Sequence, residues 1–182
     1  MRAVVGLGNP GPEYAATRHN LGFWVADALV RHWGLSPFRR GERARVSDGA
    51  VGGVPVRVLK PTTMMNHSGA ALASLRADPA FVPARDLLIV VDDFNIPLGT
   101  YRFRPSGSPG GHNGLKSIEA ALQSQEYARL RVGIGPVPEG EPSEEFVLAP
   151  FEQTEREQVD GLMPDLLKAA DDWLRQSPGA GS

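Results

Sequence analysis

Apolar residues follow two alternating spacings along the chain, one suited to strands and one to helices. Residues 3–7 are a short apolar run closed by glycine, the pattern of a buried strand. Residues 8–18 form a long turn-rich loop. Asn20 is placed to cap the helix that follows, whose apolar face is Leu21, Val25, Ala28 and Leu29 and which Gly34 stops. Weak alternation over 44–60 around Gly52-Gly53 signals a hairpin, and a loop at 61–69 leads into a short alanine-rich helix that ends before Pro79. The aliphatic run 87–91, ending at Asp92-Asp93, is the strongest strand signal. Residues 101–104 read as a strand, 105–111 as a loop, 113–123 as a helix and 130–134 as a strand. The tail is a helical segment over about 143–176, with Pro164 suiting the first turn of a second helix there. Strands alternating with helices predict an α/β fold, with a mostly parallel sheet covered on both faces.

In such sheets ligands bind in loops beyond the carboxyl ends of the strands. Three polar clusters occupy loops of that kind: 8–19, Asp92-Asp93, and 110–114, with the Met64-Met65-Asn66 loop able to join them. Gly6-Leu7-Gly8-Asn9-Pro10-Gly11 fits the dinucleotide pattern G-x-G-x-x-G, a weak signal alone. No helix starts inside it, and Arg31 and His32 stand where the ribose-binding acid would be expected, so a nicotinamide cofactor is rejected.

Composition narrows the chemistry. The 182 residues suit one domain, 1–182, and 41% hydrophobic with 22% charged residues predicts a packed core. With no cysteine there is no disulfide, thiolate metal site or cysteine nucleophile. No apolar run approaches the ~20 residues of a membrane span, and the first glycine turn comes too early for a signal peptide, so the cytoplasm is the expected location. The net charge of -2 conceals an imbalance: residues 1–138 hold 16 Lys+Arg and 10 Asp+Glu, whereas 139–182 hold 3 and 11. The basic part could attract phosphate, although charge alone favours two ordinary solvated faces.

Of four histidines, His32 falls in the last turn of a helix as a solvated or dipole-facing residue, and His67 reads as structural. His19 and His112 each end a loop just before a helix and remain as two candidates for a base. Asp92 ends a buried strand, where a carboxylate is costly unless paired. Bound to one imidazole nitrogen, it would fix the tautomer and free the other nitrogen for proton transfer. The nucleophile elbow G-x-S-x-G is absent, which leaves water as nucleophile. The amides of Asn9, Asn66 and Asn113 could hold a water, a carbonyl and an oxyanion. A metal held by His19, Asp92, Asp93 and His112 is the competing reading, without a recognised ligand spacing. Arg102 and Arg104, two apart on a strand, share a face that suits phosphate, with Lys116, Arg129 and Arg131 extending it; a solvated strand face is the plainer alternative.

Several longer motifs add to this reading. The chain opens with GLGNPGPEY, continues through Tyr14-Ala-Ala-Thr17-Arg18-His19-Asn20-Leu-Gly22, and carries Pro61-Thr-Thr-Met64-Met65-Asn66-His67-Ser68-Gly69. Gly110-Gly111-His112-Asn113-Gly114-Leu115-Lys116-Ser117 and Arg129-Leu-Arg131-Val-Gly133-Ile-Gly135 follow. In this order they resemble the bacterial peptidyl-tRNA hydrolase family over nearly the whole length. The resemblance implies a single-domain α/β/α sandwich with a mixed sheet. It also implies hydrolysis of the ester between peptide and tRNA in translation and ribosome rescue, without cofactor or metal. His19 takes the base role, and Asp92 that of orienting it. Asn9 matches the residue that helps distinguish N-blocked from free aminoacyl groups. Tyr14, Met64, Met65, Asn66 and Asn113 match positions for the peptide and terminal adenosine, and Arg102 and Arg104 match positions gripping tRNA phosphate. His112 becomes a neighbour of the site. Peptidyl-tRNA is the expected partner of a monomer, with neither DNA nor membrane; a noncatalytic tRNA- or RNA-binding protein on the same fold is the alternative. Met64 stands for a more usual phenylalanine, His67 for leucine, and Phe94-Asn95-Ile96-Pro97 for Leu-Asp-Leu-Pro.

Overall fold

The computed structural model describes residues 1–176; the last six residues of the expected 1–182 domain lie outside the described residues. Its centre is β1 (Arg2–Gly6), buried at every position. Around it come α1 (Leu21–Trp33), β2 (Arg39–Arg40), β3 (Ala44–Val51) and β4 (Val54–Pro61). A 3-10 helix (Met65–Leu72) then runs into α2 (Ala73–Arg76), followed by α3 (Pro83–Asp86), β5 (Leu87–Pro97) and β6 (Tyr101–Arg104). The chain finishes with α4 (Asn113–Leu122), β7 (Ala128–Gly135), α5 (Ser143–Leu148) and α6 (Gln153–Leu174).

These strands form one mixed sheet in the order β2-β3-β4-β1-β5-β7-β6. β1 pairs parallel with β4 and β5, and β5 with β7, whereas the β2–β3, β3–β4 and β6–β7 pairs are antiparallel. The strand directions are therefore mostly shared, as the alternating pattern predicts. Alternation along the central strands divides the core in two. Val4, Leu88, Val90, Leu130 and Val132 pack under α1 and α6. Ala3, Val5, Ile89 and Val91 pack under α4, the 3-10 helix and α2. Among the described residues no helix is long and apolar enough to cross a membrane.

Several local expectations are corrected. β5 does not end at residue 91 but carries Asp92 and Asp93 within it and continues to Pro97, because Asp92 finds partners that make its burial tolerable. Pro164 lies inside the continuous helix α6 rather than starting a new one. Val159, Leu162, Leu166, Ala170 and Trp173 are buried along α6 on both sides of it. Burial of several such side chains at about 1.5–3 kcal/mol each outweighs the ~3 kcal/mol a helix-interior proline costs. The short β2 and α3 carry no signal in the apolar pattern. His32 is paired, not simply solvated: its Nε2 lies 2.8 Å from Asp171 Oδ2, and Trp33 Nε1 donates to Asp171 Oδ1 at 2.7 Å. That carboxylate ties the end of α1 to α6.

Candidate active site

β1 delivers the first loop of the site, and glycine sets how closely α1 can follow it. A Cβ at Gly6 would lie 2.2 Å from the Gly22 carbonyl oxygen, and one at Gly22 would lie 2.5 Å from Leu7 N and 2.6 Å from Val90 O. The start of α1 thus rests directly on the end of β1 and on β5 at Val90. This close approach, not a pyrophosphate, accounts for Gly6 and Gly8 of the G-x-G-x-x-G pattern, while Gly11 serves the turn at φ 108, and α1 begins only at Leu21. The preceding 3-10 turn, Arg18–Asn20, places His19 over the middle of β5, at Asp92.

There Asp92, 2% exposed, binds both candidate histidines. His19 Nδ1 is 2.8 Å from Oδ2, and His112 Nε2 is 3.0 Å from Oδ1. The rings lie 5.1 Å apart, tilted by 43°. The two histidines differ in what remains. His112 Nδ1 accepts from the backbone N–H groups of Gly114 and Leu115 at 3.1 and 3.3 Å, capping α4. Its two nitrogens are therefore both committed: Nδ1 as acceptor and Nε2–H as donor. His19 donates Nδ1–H to Asp92 and, among the described residues, keeps Nε2 free of a protein partner.

The electrostatics match this arrangement. Burial would lower the His19 pKa, but the adjacent Asp92 charge and its hydrogen bond outweigh it and raise the pKa above its ordinary value. Burial would raise the pKa of Asp92, yet the neighbouring His19 and His112, by charge and by hydrogen bond, hold it well below the carboxylate range. Asp92 therefore stays ionised at neutral pH.

A cavity of about 290 Å³ opens beside this pair, and His19, Asp92, His112 and Asn113 line it. Asn113, the first residue of α4, is exposed to the cavity. Asn9, Tyr14, Met64, Met65 and Asn66 are not among its lining residues, but Asn9 and Met65 are joined to one another. Asn9 Oδ1 accepts from Met65 N–H at 2.6 Å, which leaves the Asn9 NH₂ as the end available to a ligand. Asn20 does not cap α1 with its side chain. It instead closes a ring on Asn9, accepting from its N–H at 2.8 Å and donating to its carbonyl at 2.9 Å. Met65 is buried, whereas Met64 and Asn66 are exposed at the start of the 3-10 helix; Tyr14 is half-buried at the end of the turn Pro12–Tyr14.

Arg102 and Arg104 are both exposed on the edge strand β6, outside the cavity. Arg131 lines the cavity and pairs with Asp93 at 3.5 Å. Arg129 cannot extend a surface patch, because it is fully buried over the Tyr127 ring at 4.0 Å and donates to the carbonyls of Gln125 and Tyr127. Strand alternation places it on the same face as Arg131, but the loops before α4 and β7, through Ser108 and Gln125, cover that end of the face.

The acidic tail contributes a wall that its sequence does not announce: Ser143, Glu144 and Val147 of α5 line the cavity. Arg18 holds α5 there. It lies 4.2 Å from the Phe146 ring, donates to the Phe146 carbonyl at 3.1 Å and pairs with Glu155 at 2.8 Å. The acid partner is 137 residues away along the chain, so no local signal reveals it.

His19, Asp92 and His112 also offer metal-type ligand atoms within 4.8 Å of one another. Both Asp92 oxygens and His112 Nδ1 are taken up by hydrogen bonds, and Asp93 is turned to Arg131. Exhaustive chelation is accordingly expected to leave activity unchanged; a loss reversed by added zinc or magnesium would establish the metal reading instead.

The sequence profile of the family described as Peptidyl-tRNA hydrolase matches residues 3–180. A peptidyl-tRNA hydrolase of Gemmatimonas aurantiaca is 45% identical, covering 97% of this chain and 94% of its own. One from Koribacter versatilis is 37% identical, covering 98% and 89%. The crystal structure of peptidyl-tRNA hydrolase from Acinetobacter baumannii superposes with a TM-score of 0.85 at 34% identity, over 92% of this chain and 85% of that one.

Proposed function

We propose, from the premise that this chain belongs to the peptidyl-tRNA hydrolase family, that His19 is the base of its reaction and Asp92 the residue that orients it. The chain hydrolyses the ester joining a peptide to tRNA. What supports the assignment to His19 is the hydrogen-bond pattern: His112 has no nitrogen left, and His19 has Nε2. In this reading a water oxygen attacks the ester carbonyl while its proton passes to Nε2. The oxyanion forms near the Asn113 amide, and the bond to the ribose oxygen then breaks as the imidazolium returns its proton to that oxygen. Asp92, kept ionised, stabilises the imidazolium throughout.

Asn9, with its Oδ1 held by Met65, offers an amide N–H to a carbonyl of the substrate. A blocked amino group supplies that acceptor and a free ammonium does not, which accounts for discrimination against aminoacyl-tRNA. Tyr14, Met64, Met65 and Asn66 form the loops for the peptide and the terminal adenosine. The setting is a cytoplasmic monomer acting on peptidyl-tRNA alone. Release of tRNA from an N-acetylated aminoacyl-tRNA, with the unblocked one as control, tests this reading. Binding without turnover would favour a noncatalytic RNA-binding protein.

Arg102 and Arg104 are the proposed grip on the phosphates of the tRNA. Affinity is then expected to fall with salt through counterion release. Arg102→Ala with Arg104→Ala should make the log–log salt slope shallower by about 1 for each phosphate no longer held. The weakening should be similar for different tRNAs, because phosphates carry no base information. Binding curves over a salt series check it, and an unchanged slope would move the phosphate grip to Lys116 and Arg131.

A further inference from the structure

A second groove, also of about 290 Å³, lies between α4 and the 3-10 helix and is lined by Arg43, His67 and Arg76 among small residues. We propose that it is a subsite for the peptide part of the substrate and takes acidic side chains lying a few residues before the ester. The proposal rests on the reading of the chain as a peptidyl-tRNA hydrolase and adds a sequence preference to it.

Alignment with the catalytic cavity along one helix is the first observation. Asn113, Ser117 and Ala121 follow one another at four-residue spacing, so they form a single stripe along α4. Asn113 lines the catalytic cavity, and Ser117 and Ala121 line the groove. On the other bank His67 is the immediate neighbour of Asn66. The floor is low because α4 and the 3-10 helix are pressed together: Gly69 N–H donates to Ser117 Oγ at 2.8 Å, and a Cβ at Gly69 would lie 2.3 Å from the Ser117 carbonyl oxygen. An extended chain can therefore lie against the seam.

Charge is the second observation. Arg43 and Arg76 are exposed, and among the described residues neither has a carboxylate within 4.0 Å. Arg43 is held in the left-handed region, at φ 57, which residues with a side chain seldom adopt. Its carbonyl accepts from Thr62 N–H at 2.9 Å, and Gly41 N–H closes the turn onto the Ala44 carbonyl at 2.8 Å. Two such guanidiniums lining one groove suit carboxylates.

Direction separates peptide from RNA as the occupant. The ester has RNA on one side and peptide on the other. Arg102 and Arg104 sit on β6, one edge of the sheet, while the groove lies at the end of β4 and the β2–β3 turn, towards the opposite edge. RNA gripped at the β6 edge sends the peptide across the cavity towards the groove. From Asn113 to Ala121 is about 12 Å along α4, or about three to four residues of extended chain.

The test uses one tRNA carrying N-acetylated tetrapeptides that differ only at the third and fourth residues from the ester, with Asp, Ala or Lys there. Wild type is expected to show a KM about two- to five-fold lower for Asp than for Ala, the size of an exposed ion pair, with kcat unchanged. Arg43→Ala with Arg76→Ala should erase the preference, and Arg43→Glu with Arg76→Glu should turn it towards Lys. N-acetyl-aminoacyl-tRNA, too short to reach the groove, should be hydrolysed alike by all variants. No preference in wild type, or one that survives the double substitution, overturns the proposal. A weaker, less salt-dependent reaction of the double variant on the short substrate also overturns it and gives the groove to RNA. Failure of wild type to cleave any of these substrates would instead overturn the parent reading.

Discussion

His19→Ala lowers kcat by about 10²–10⁴-fold, the usual contribution of a positioned general base, with little change in tRNA affinity. In the proposed mechanism the removed ring contributes Nε2 to the reaction and, among the described residues, a single hydrogen bond to the fold, so the variant should bind substrate and fail to turn it over. His112→Ala is expected to cost less in kcat and more in stability. It removes the cap of α4, worth about 0.5–2 kcal/mol, and one of the two N–H donors that keep Asp92 ionised. Single-turnover rates and thermal unfolding of the two variants check the contrast. A larger drop in kcat for His112→Ala than for His19→Ala would make His112 the base.

Asp92→Asn has the second large expected effect, through both proton affinity and tautomer. Asp92 raises the His19 pKa above its ordinary value, so its removal lowers that pKa. The base form then persists to lower pH, and the acidic limb of the kcat/KM profile should move to lower pH. At the same time activity at the plateau should fall. In the native site both rings donate to a carboxylate, but an asparagine side chain offers one oxygen and one NH₂. One ring must face a donor, and if that ring is His19, its proton shifts to Nε2 and the base is blocked. A pH profile of kcat/KM with unmoved acidic limb and unchanged plateau would exclude contact between Asp92 and the reacting histidine.

Much of the fold can be read from the chain because its strongest signals are local. β1, α1, the β3–β4 hairpin and β6 all follow from apolar spacing and glycine turns. Asp92 stands out because a carboxylate at the end of a fully apolar run needs a partner, and the structure places two beside it. The choice between His19 and His112 is not visible without the family resemblance. It depends on which nitrogen faces the amides of Gly114 and Leu115, a matter of loop geometry. The wall made by α5 is hidden for another reason: it is fixed by Arg18 and Glu155, far apart along the chain. Alternation puts Arg129 on the right face of β7 but cannot show that packing covers it. Pro164 misleads because the buried stripe of α6 overrides a local rule.

Asp92 receives one histidine from the loop before α1 and the other from the loop before α4, and those helices cover opposite faces of the sheet. Turnover is therefore a reporter of complete folding. Loosening the α1 face in mild denaturant withdraws the proposed base while the central strands still hold together, and loosening the α4 face withdraws His112 and Asn113, so activity should decline ahead of the main unfolding transition. During synthesis the triad likewise cannot close until residues beyond α4 and β7 have emerged and docked, which makes catalytic competence one of the last properties the folding chain acquires.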